Sequence, residues 1–104
     1  MLKKKYRLSA GKLNKPKTEV FPYITVKSSE NGLGYPRFGF VVSKSVDPRA
    51  VVRNRTKRVF RSCIEELLPS LKIGKDFLFI FKSQTKDAKR EELLNLLKKI
   101  FKDL

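Results

Sequence analysis

Ala50-Val51-Val52-Arg53-Asn54-Arg55-Thr56-Lys57-Arg58-Val59-Phe60-Arg61, continuing through Ser62-Cys63-Ile64-Glu65-Glu66-Leu67-Leu68, is the stretch that decides the fold. Placed at 100° per residue, Val52, Thr56, Val59, Phe60, Cys63, Ile64 and Leu67 fall on one arc. Asn54, Lys57, Arg58 and Arg61 fall opposite, with Arg55 on one flank and Arg53 near the boundary. The spacing predicts an amphipathic helix over Ala50–Leu68 that docks one face on a sheet and turns cations to solvent on the other. Asp47-Pro48 has the chemistry to open it: Asp accepts orphan N–H groups and Pro is tolerated at the first helical position. Pro69 marks its end.

Outward from this helix, Phe77-Leu78-Phe79-Ile80-Phe81 is an apolar run of strand length and reads as the most buried strand of the sheet. Upstream, Arg37 to Ser43 predicts another strand, with Phe38, Phe40 and Val42 on one side of the pleat. Val20 to Lys27, rich in β-branched and aromatic residues, predicts a third. Pro22 lacks an N–H, so it belongs at that strand's start or at a sheet edge. Asn31 to Pro36 reads as a turn or loop by its Gly and Pro content, with room for a further short strand near residues 30–36. Leu93, Leu96, Leu97, Ile100, Phe101 and Leu104 recur at helical spacing, and Thr85 or Asp87 could cap that last helix. Residues 1–19 are basic and without a clear period: an extended or partly ordered arm. The order is strand, strand, helix, strand, helix within a single domain over residues 1–104.

Charge narrows the partners. Twenty-five Lys and Arg against ten Asp and Glu leave a formal +15. Such an excess cannot all be paired internally, so phosphate backbones or anionic headgroups are the natural partners. Between Lys44 and Arg61 the cations are Lys44, Arg49, Arg53, Arg55, Lys57, Arg58 and Arg61, against Asp47 alone. Ordinary solvated helix faces mix both signs, because alternating charges support the helix. Here the positive charge crowds the start of the helix, and Glu65 and Glu66 come at its end, against the helix dipole. That arrangement suits anion binding better than helix stability, and five of the seven cations are Arg, which grips phosphate with a fixed fork. The plainer reading is a solvated polar face, which the single sign of charge disfavours.

Other features exclude function classes. The chain has no His, so it lacks the commonest general base and the commonest nitrogen metal ligand. Cys63 sits on the apolar arc, as a small core residue does. Gly32-Leu33-Gly34 is not a phosphate loop, and the carboxylates form no obvious catalytic pair. A self-sufficient protein catalyst is not expected. With one cysteine, no apolar run near the roughly 18 residues of a membrane span, and a charged Met-Leu-Lys-Lys-Lys start without an apolar stretch behind it, a cytoplasmic chain is expected, with no membrane partner.

Val41-Val42-Ser43-Lys44, followed by Ala50-Val51-Val52-Arg53-Asn54-Arg55-Thr56-Lys57-Arg58-Val59-Phe60-Arg61 and by Gly74-Lys75-Asp76, resembles the signature of the bacterial ribonuclease P protein subunit. The resemblance covers roughly residues 37–104. It implies an α/β (α+β) two-layer sandwich: a small mixed sheet, the Arg-Asn-Arg helix in an unusual left-handed crossover between parallel strands, and a C-terminal amphipathic helix. The general preference for right-handed crossovers points the other way. It also implies a protein that binds the catalytic RNA subunit and the 5′ leader of precursor tRNA, promoting removal of the leader by chemistry that the RNA carries. Mg²⁺ is then expected to be held mainly by the RNA and substrate, and no obligate protein partner is implied. By position, Lys44, Arg53, Asn54, Arg55, Lys57, Arg58 and Arg61 face RNA, and Arg49 joins them on charge.

The chain departs from that pattern in places. Ser45 stands where a second Lys is common, the Asp47-Pro48-Arg49 link is about one residue longer than usual, and Thr56 replaces an aliphatic residue. The usual aromatic pair after Arg7-Leu8, which lines a leader cleft on the sheet in the family, is missing. Phe21, Tyr23 or Phe40 could supply stacking surface instead, although each reads equally well as a core aromatic. Two alternatives stand beside this reading. A ribosomal or assembly protein would bind RNA without raising precursor-tRNA cleavage. A major-groove DNA binder would need base-reading side chains, and only Asn54 suits that role.

Overall fold

A computed structural model describes residues 4–8, 13, 16–71 and 74–102. Among them, four strands form one sheet: β1 (Lys17–Val20), β2 (Ile24–Glu30), β3 (Arg37–Val41) and β4 (Lys75–Phe81). Helices α1 (Ala50–Leu67) and α2 (Arg90–Lys102) complete the fold, with 3-10 turns at Lys4–Tyr6, Leu68–Ser70 and Ser83–Asp87. The strand order is β1-β2-β4-β3. β2 runs antiparallel to β1 and β4, while β3 pairs with β4 in parallel, so α1 is the crossover between parallel strands. Leu104 of the expected apolar series, and residues 1–3, 9–12 and 14–15 of the expected arm, lie outside the described residues.

The apolar run of β4 is central because it pairs on both sides, Phe79 with Val26 of β2 and with Phe40 of β3. Alternation then sends Phe77, Phe79 and Phe81 to the helical side. There Phe38, Phe40, Phe60, Phe77, Phe79, Phe81 and Phe101 form one ring cluster, its closest pair being Phe60 and Phe81 at 4.9 Å between centroids. Val52, Thr56, Phe60, Cys63 and Ile64 are the buried residues of α1, and Leu93, Leu97 and Ile100 those of α2. Thr56, where an apolar group was expected, is tolerated because its hydroxyl donates to the Val52 carbonyl at 3.0 Å. The opposite face of the sheet is not covered by either helix. Val20 of β1 and Val41 of β3 are 71% and 42% exposed.

The structure corrects five local expectations. The strand expected over Val20–Lys27 is split: β1 ends at Val20, Phe21 to Tyr23 form the turn, and β2 begins at Ile24. Pro22 sits in that turn, and the Phe21 N–H donates to the Ile24 carbonyl at 2.8 Å. Part of the expected arm, Lys17–Val20, is therefore an edge strand, while residues 31–36 contain no strand. Pro48 precedes the helix and is not its first residue; Arg49 is the N-cap and makes no side-chain cap. Finally, Thr85 does not cap α2. It is buried in the 3-10 turn after β4, accepting the Lys82 N–H at 3.1 Å and donating to the Tyr23 carbonyl.

The Gly74-Lys75-Asp76 element has a structural role. A Cβ on Gly74 would lie 2.1 Å from the Leu33 carbonyl oxygen. Asp76 accepts Arg37 Nε at 2.8 Å and Nη2 at 2.7 Å, and Asn31 Nδ2 at 3.0 Å. Asn31 also donates to the Tyr35 carbonyl and accepts the Leu33 N–H, which fastens the loop before β3 to the start of β4.

Candidate RNA interface

α1 projects its cations from a helix whose charge is reversed at both ends. It has no acidic residue in the first turn, no basic residue in the last, and no side-chain cap. α2 is the internal contrast, with Glu91 and Glu92 in its first turn and Lys99 and Lys102 in its last. Asn54, Arg55, Arg58 and Arg61 are exposed and Lys57 is half-buried. No carboxylate pairs with Lys44, Arg55, Lys57 or Arg58 among the described residues.

These side chains do not form a single cluster. Asn54, Lys57, Arg58 and Arg61 line a groove of about 460 Å³ with Ser62 and Glu65. Arg55, two residues and about 200° away from Lys57, lines a second hollow of about 230 Å³ with Thr85 and Lys86. Lys57 and Arg61 also reach a third groove of about 190 Å³, closed by Arg7, Leu8, Phe38, Gly39 and Phe40. There the Leu8 N–H donates to the Phe38 carbonyl at 2.8 Å, so the chain before β1 lies along the edge of β3.

Arg49 and Arg53 behave differently. Arg49 clamps Asp47 through Nε at 3.0 Å and Nη2 at 2.9 Å, and Arg53 Nη1 donates to the Asp47 and Pro48 carbonyls at 2.9 Å each. The Arg49 guanidinium, with its backbone N–H and Lys86, holds the Asp47 carboxyl well below the usual carboxylate range. The three aromatic candidates are not brought together. Phe40 packs edge-on against Phe60 and carries the Arg61 guanidinium 5.3 Å from its ring centre. Phe21 and Tyr23 lie at the β1–β2 turn, across the sheet from β3; the Tyr23 hydroxyl donates to Glu92 Oε2 at 2.6 Å. Arg7, Leu8 and Lys86 were not among the candidates. Arg7-Leu8 carried a recognisable signal as the start of the departing segment, whereas Lys86 is distant in sequence and only folding brings it to α1.

Cys63 is buried and its thiol is pushed up by burial, as suits a core residue. Mg²⁺ requires hard oxygen ligands. Asp47 and Asp76 are already saturated by cations and amides, and no group of three or more His, Cys, Asp or Glu side chains is gathered among the described residues. Neither of these two buried carboxylates fits a protein-held ion.

A mixed sheet backed by two helices, with a dipole-opposed arginine helix as its parallel crossover, defines a small polyanion-binding α+β protein. The ribonuclease P family model matches residues 2–104, further toward the N-terminus than the signature alone reached, and the chain belongs to that family. The ribonuclease P protein component of Vibrio cholerae serotype O1 is 39% identical over 83 residues, covering 80% of this chain and 70% of that one. A Staphylococcus aureus RNase P protein, a mutant with defective mRNA degradation activity, superposes with a TM-score of 0.79 at 26% identity, covering 95% of this chain and 87% of that one. The RNase P protein from Thermotoga maritima shares the fold, with a TM-score of 0.78 at 22% identity over 86% of this chain and 84% of that one. The chain is thus a protein component of ribonuclease P, and a ribosomal role is not favoured.

Proposed function

We propose that α1 and the turn before it bind the catalytic RNA of ribonuclease P through Lys44, Asn54, Arg55, Lys57, Arg58 and Arg61, and that the RNA carries the hydrolytic chemistry. The observation that supports this best is the reversed charge of α1 beside the dipole-matched α2 of the same protein. A helix that gives up dipole stabilisation at both ends and leaves Arg55, Lys57 and Arg58 without a carboxylate partner among the described residues is arranged for phosphate. Mg²⁺ stays with RNA and substrate, since Asp47 and Asp76 are taken up by other partners. The groove between Arg7-Leu8, β3 and α1 is the best supported place for the single-stranded 5′ leader. It combines Lys57 and Arg61 with the rim of Phe40, a pairing of charge and ring that accepts any base. Phe21 and Tyr23 have weaker support, because Tyr23 is held by Glu92 and neither reaches that groove.

The test is cleavage of a precursor tRNA by the cognate catalytic RNA at low, physiological Mg²⁺, with and without this protein. A large gain on adding it, lost in the Arg55→Ala/Arg58→Ala double variant, is the expected result. Tight RNA binding without any gain would sink this reading in favour of an assembly role.

A further inference from the structure

Asp47 is the only acid between Lys44 and Arg61. An acid on a phosphate-binding face repels the ligand, so its place there needs a reason. Its side chain is 2% exposed. One carboxylate oxygen accepts the Arg49 backbone N–H at 2.8 Å and Arg49 Nε at 3.0 Å. The other accepts Arg49 Nη2 at 2.9 Å and Lys86 Nζ at 3.3 Å. Arg53, one turn into α1, grips the Asp47 and Pro48 carbonyls. The neighbouring Val46 is buried and donates its N–H to the Ser43 carbonyl at 3.0 Å. These contacts tie the turn after β3, the start of α1 and the 3-10 turn after β4 into one unit. Lys44 projects from that turn, and Arg55 shares a hollow with Lys86.

We propose that Asp47 is a positioning residue for RNA binding: clamped by Arg49 and Lys86, its carboxylate sets the β3–α1 turn and with it the placement of Lys44 and Arg55 toward RNA. Arg49 then serves RNA through Asp47 and not by touching phosphate. This rests on the RNA-binding reading above and adds a role for an acid to it.

The sign of one substitution separates this from simple electrostatics. Asp47→Asn raises the net charge by one, which on charge alone tightens RNA binding. Positioning requires the opposite. The affinity of the whole protein for the cognate catalytic RNA should be measured against salt for the wild type, Asp47→Asn, Arg49→Gln and the double variant, with circular dichroism melts of each. The expected result is roughly tenfold weaker binding for either single variant, the order of a lost charge-assisted hydrogen-bond set. The double variant should be no weaker than either, as members of one unit behave. The salt slope should stay at the wild-type value in Arg49→Gln, where a lost phosphate contact would lower it by about 0.9. Asp47→Asn binding as tightly as wild type or tighter overturns the proposal. So does a lowered slope in Arg49→Gln with an effect that adds to that of Asp47→Asn. Arg49 is 72% exposed, so its variant keeps the core and decides the matter if Asp47→Asn melts below the assay temperature. Failure of the wild type itself to bind the RNA would sink the parent reading first, and this one with it.

Discussion

Single residues in this fold carry constraints that their neighbours do not share. Gly74 is one: with the Leu33 carbonyl oxygen 2.1 Å from where a Cβ would sit, backbone has to move to admit any side chain. Gly74→Ala should destabilise the protein by about 1–3 kcal/mol, the usual cost of overpacking, as read by urea denaturation. Asp76 is another. Burial works to raise its pKa, but hydrogen bonds from Arg37 and Asn31 outweigh it and hold the carboxyl below its ordinary value. Asp47 is held low as well, chiefly by the Arg49 side chain. Both bind protons less readily folded than unfolded, where an aspartate titrates near pH 3.9 or so. Their contribution to stability is therefore complete above about pH 5 and lost as the pH falls through the lowered folded values. Melting temperatures between pH 7 and pH 2 should be flat at first and then fall, and Asp76→Asn should remove part of that fall.

At the scale of elements, the contrast between α1 and α2 separates stability from function. α2 has acids first and bases last, as a helix selected for stability does; α1 has the reverse. Val51, in the first turn of α1, is 78% exposed and is not part of the core. Val51→Glu should stabilise the helix by about 0.3–1 kcal/mol through the dipole. The same variant should weaken binding to the catalytic RNA. A variant that gains thermal stability and RNA affinity together would show that the charge reversal has no functional origin. Arg55→Ala and Arg58→Ala should leave the far-ultraviolet spectrum unchanged, because both side chains are exposed, and each should lower the salt slope of binding by about 0.9.

For the whole molecule, a net charge of +15 spread over one small domain makes binding depend on ionic strength. If about six phosphates are neutralised, affinity for the catalytic RNA falls roughly two to four orders of magnitude between 50 and 200 mM salt. A flat response would exclude phosphate contact as the source of affinity. The parallel pairing of β3 and β4 places α1 between them in sequence and on one face of the sheet in space. The opposite face stays free of helices, and the basic groove beside Phe40 opens at the β3 edge where the Arg7-Leu8 segment lies.

Much of this was already written in local pattern. The apolar arc of α1, the strand at Phe77–Phe81 and the one-signed run from Lys44 to Arg61 depend on periodicity and charge, which neighbours in sequence determine together. Val52, Thr56, Phe60, Cys63 and Ile64 are accordingly the residues that α1 buries. The hairpin around Pro22 and the capping of Lys82 by Thr85 were not legible, because each is decided by hydrogen bonds that local propensity does not encode. The roles of Arg49 and Arg53 were hidden for a related reason. Charge counting treats every cation alike, and only the folded turn shows that these two bond Asp47 and the carbonyls beside it while Arg55 and Arg58 have no carboxylate partner among the described residues. Sequence by itself determined which residues are basic and which face of α1 they share. Tertiary structure decided which of them are drawn to Asp47, because its salt bridge to Lys86 across 39 residues exists only after β4 has paired with β3.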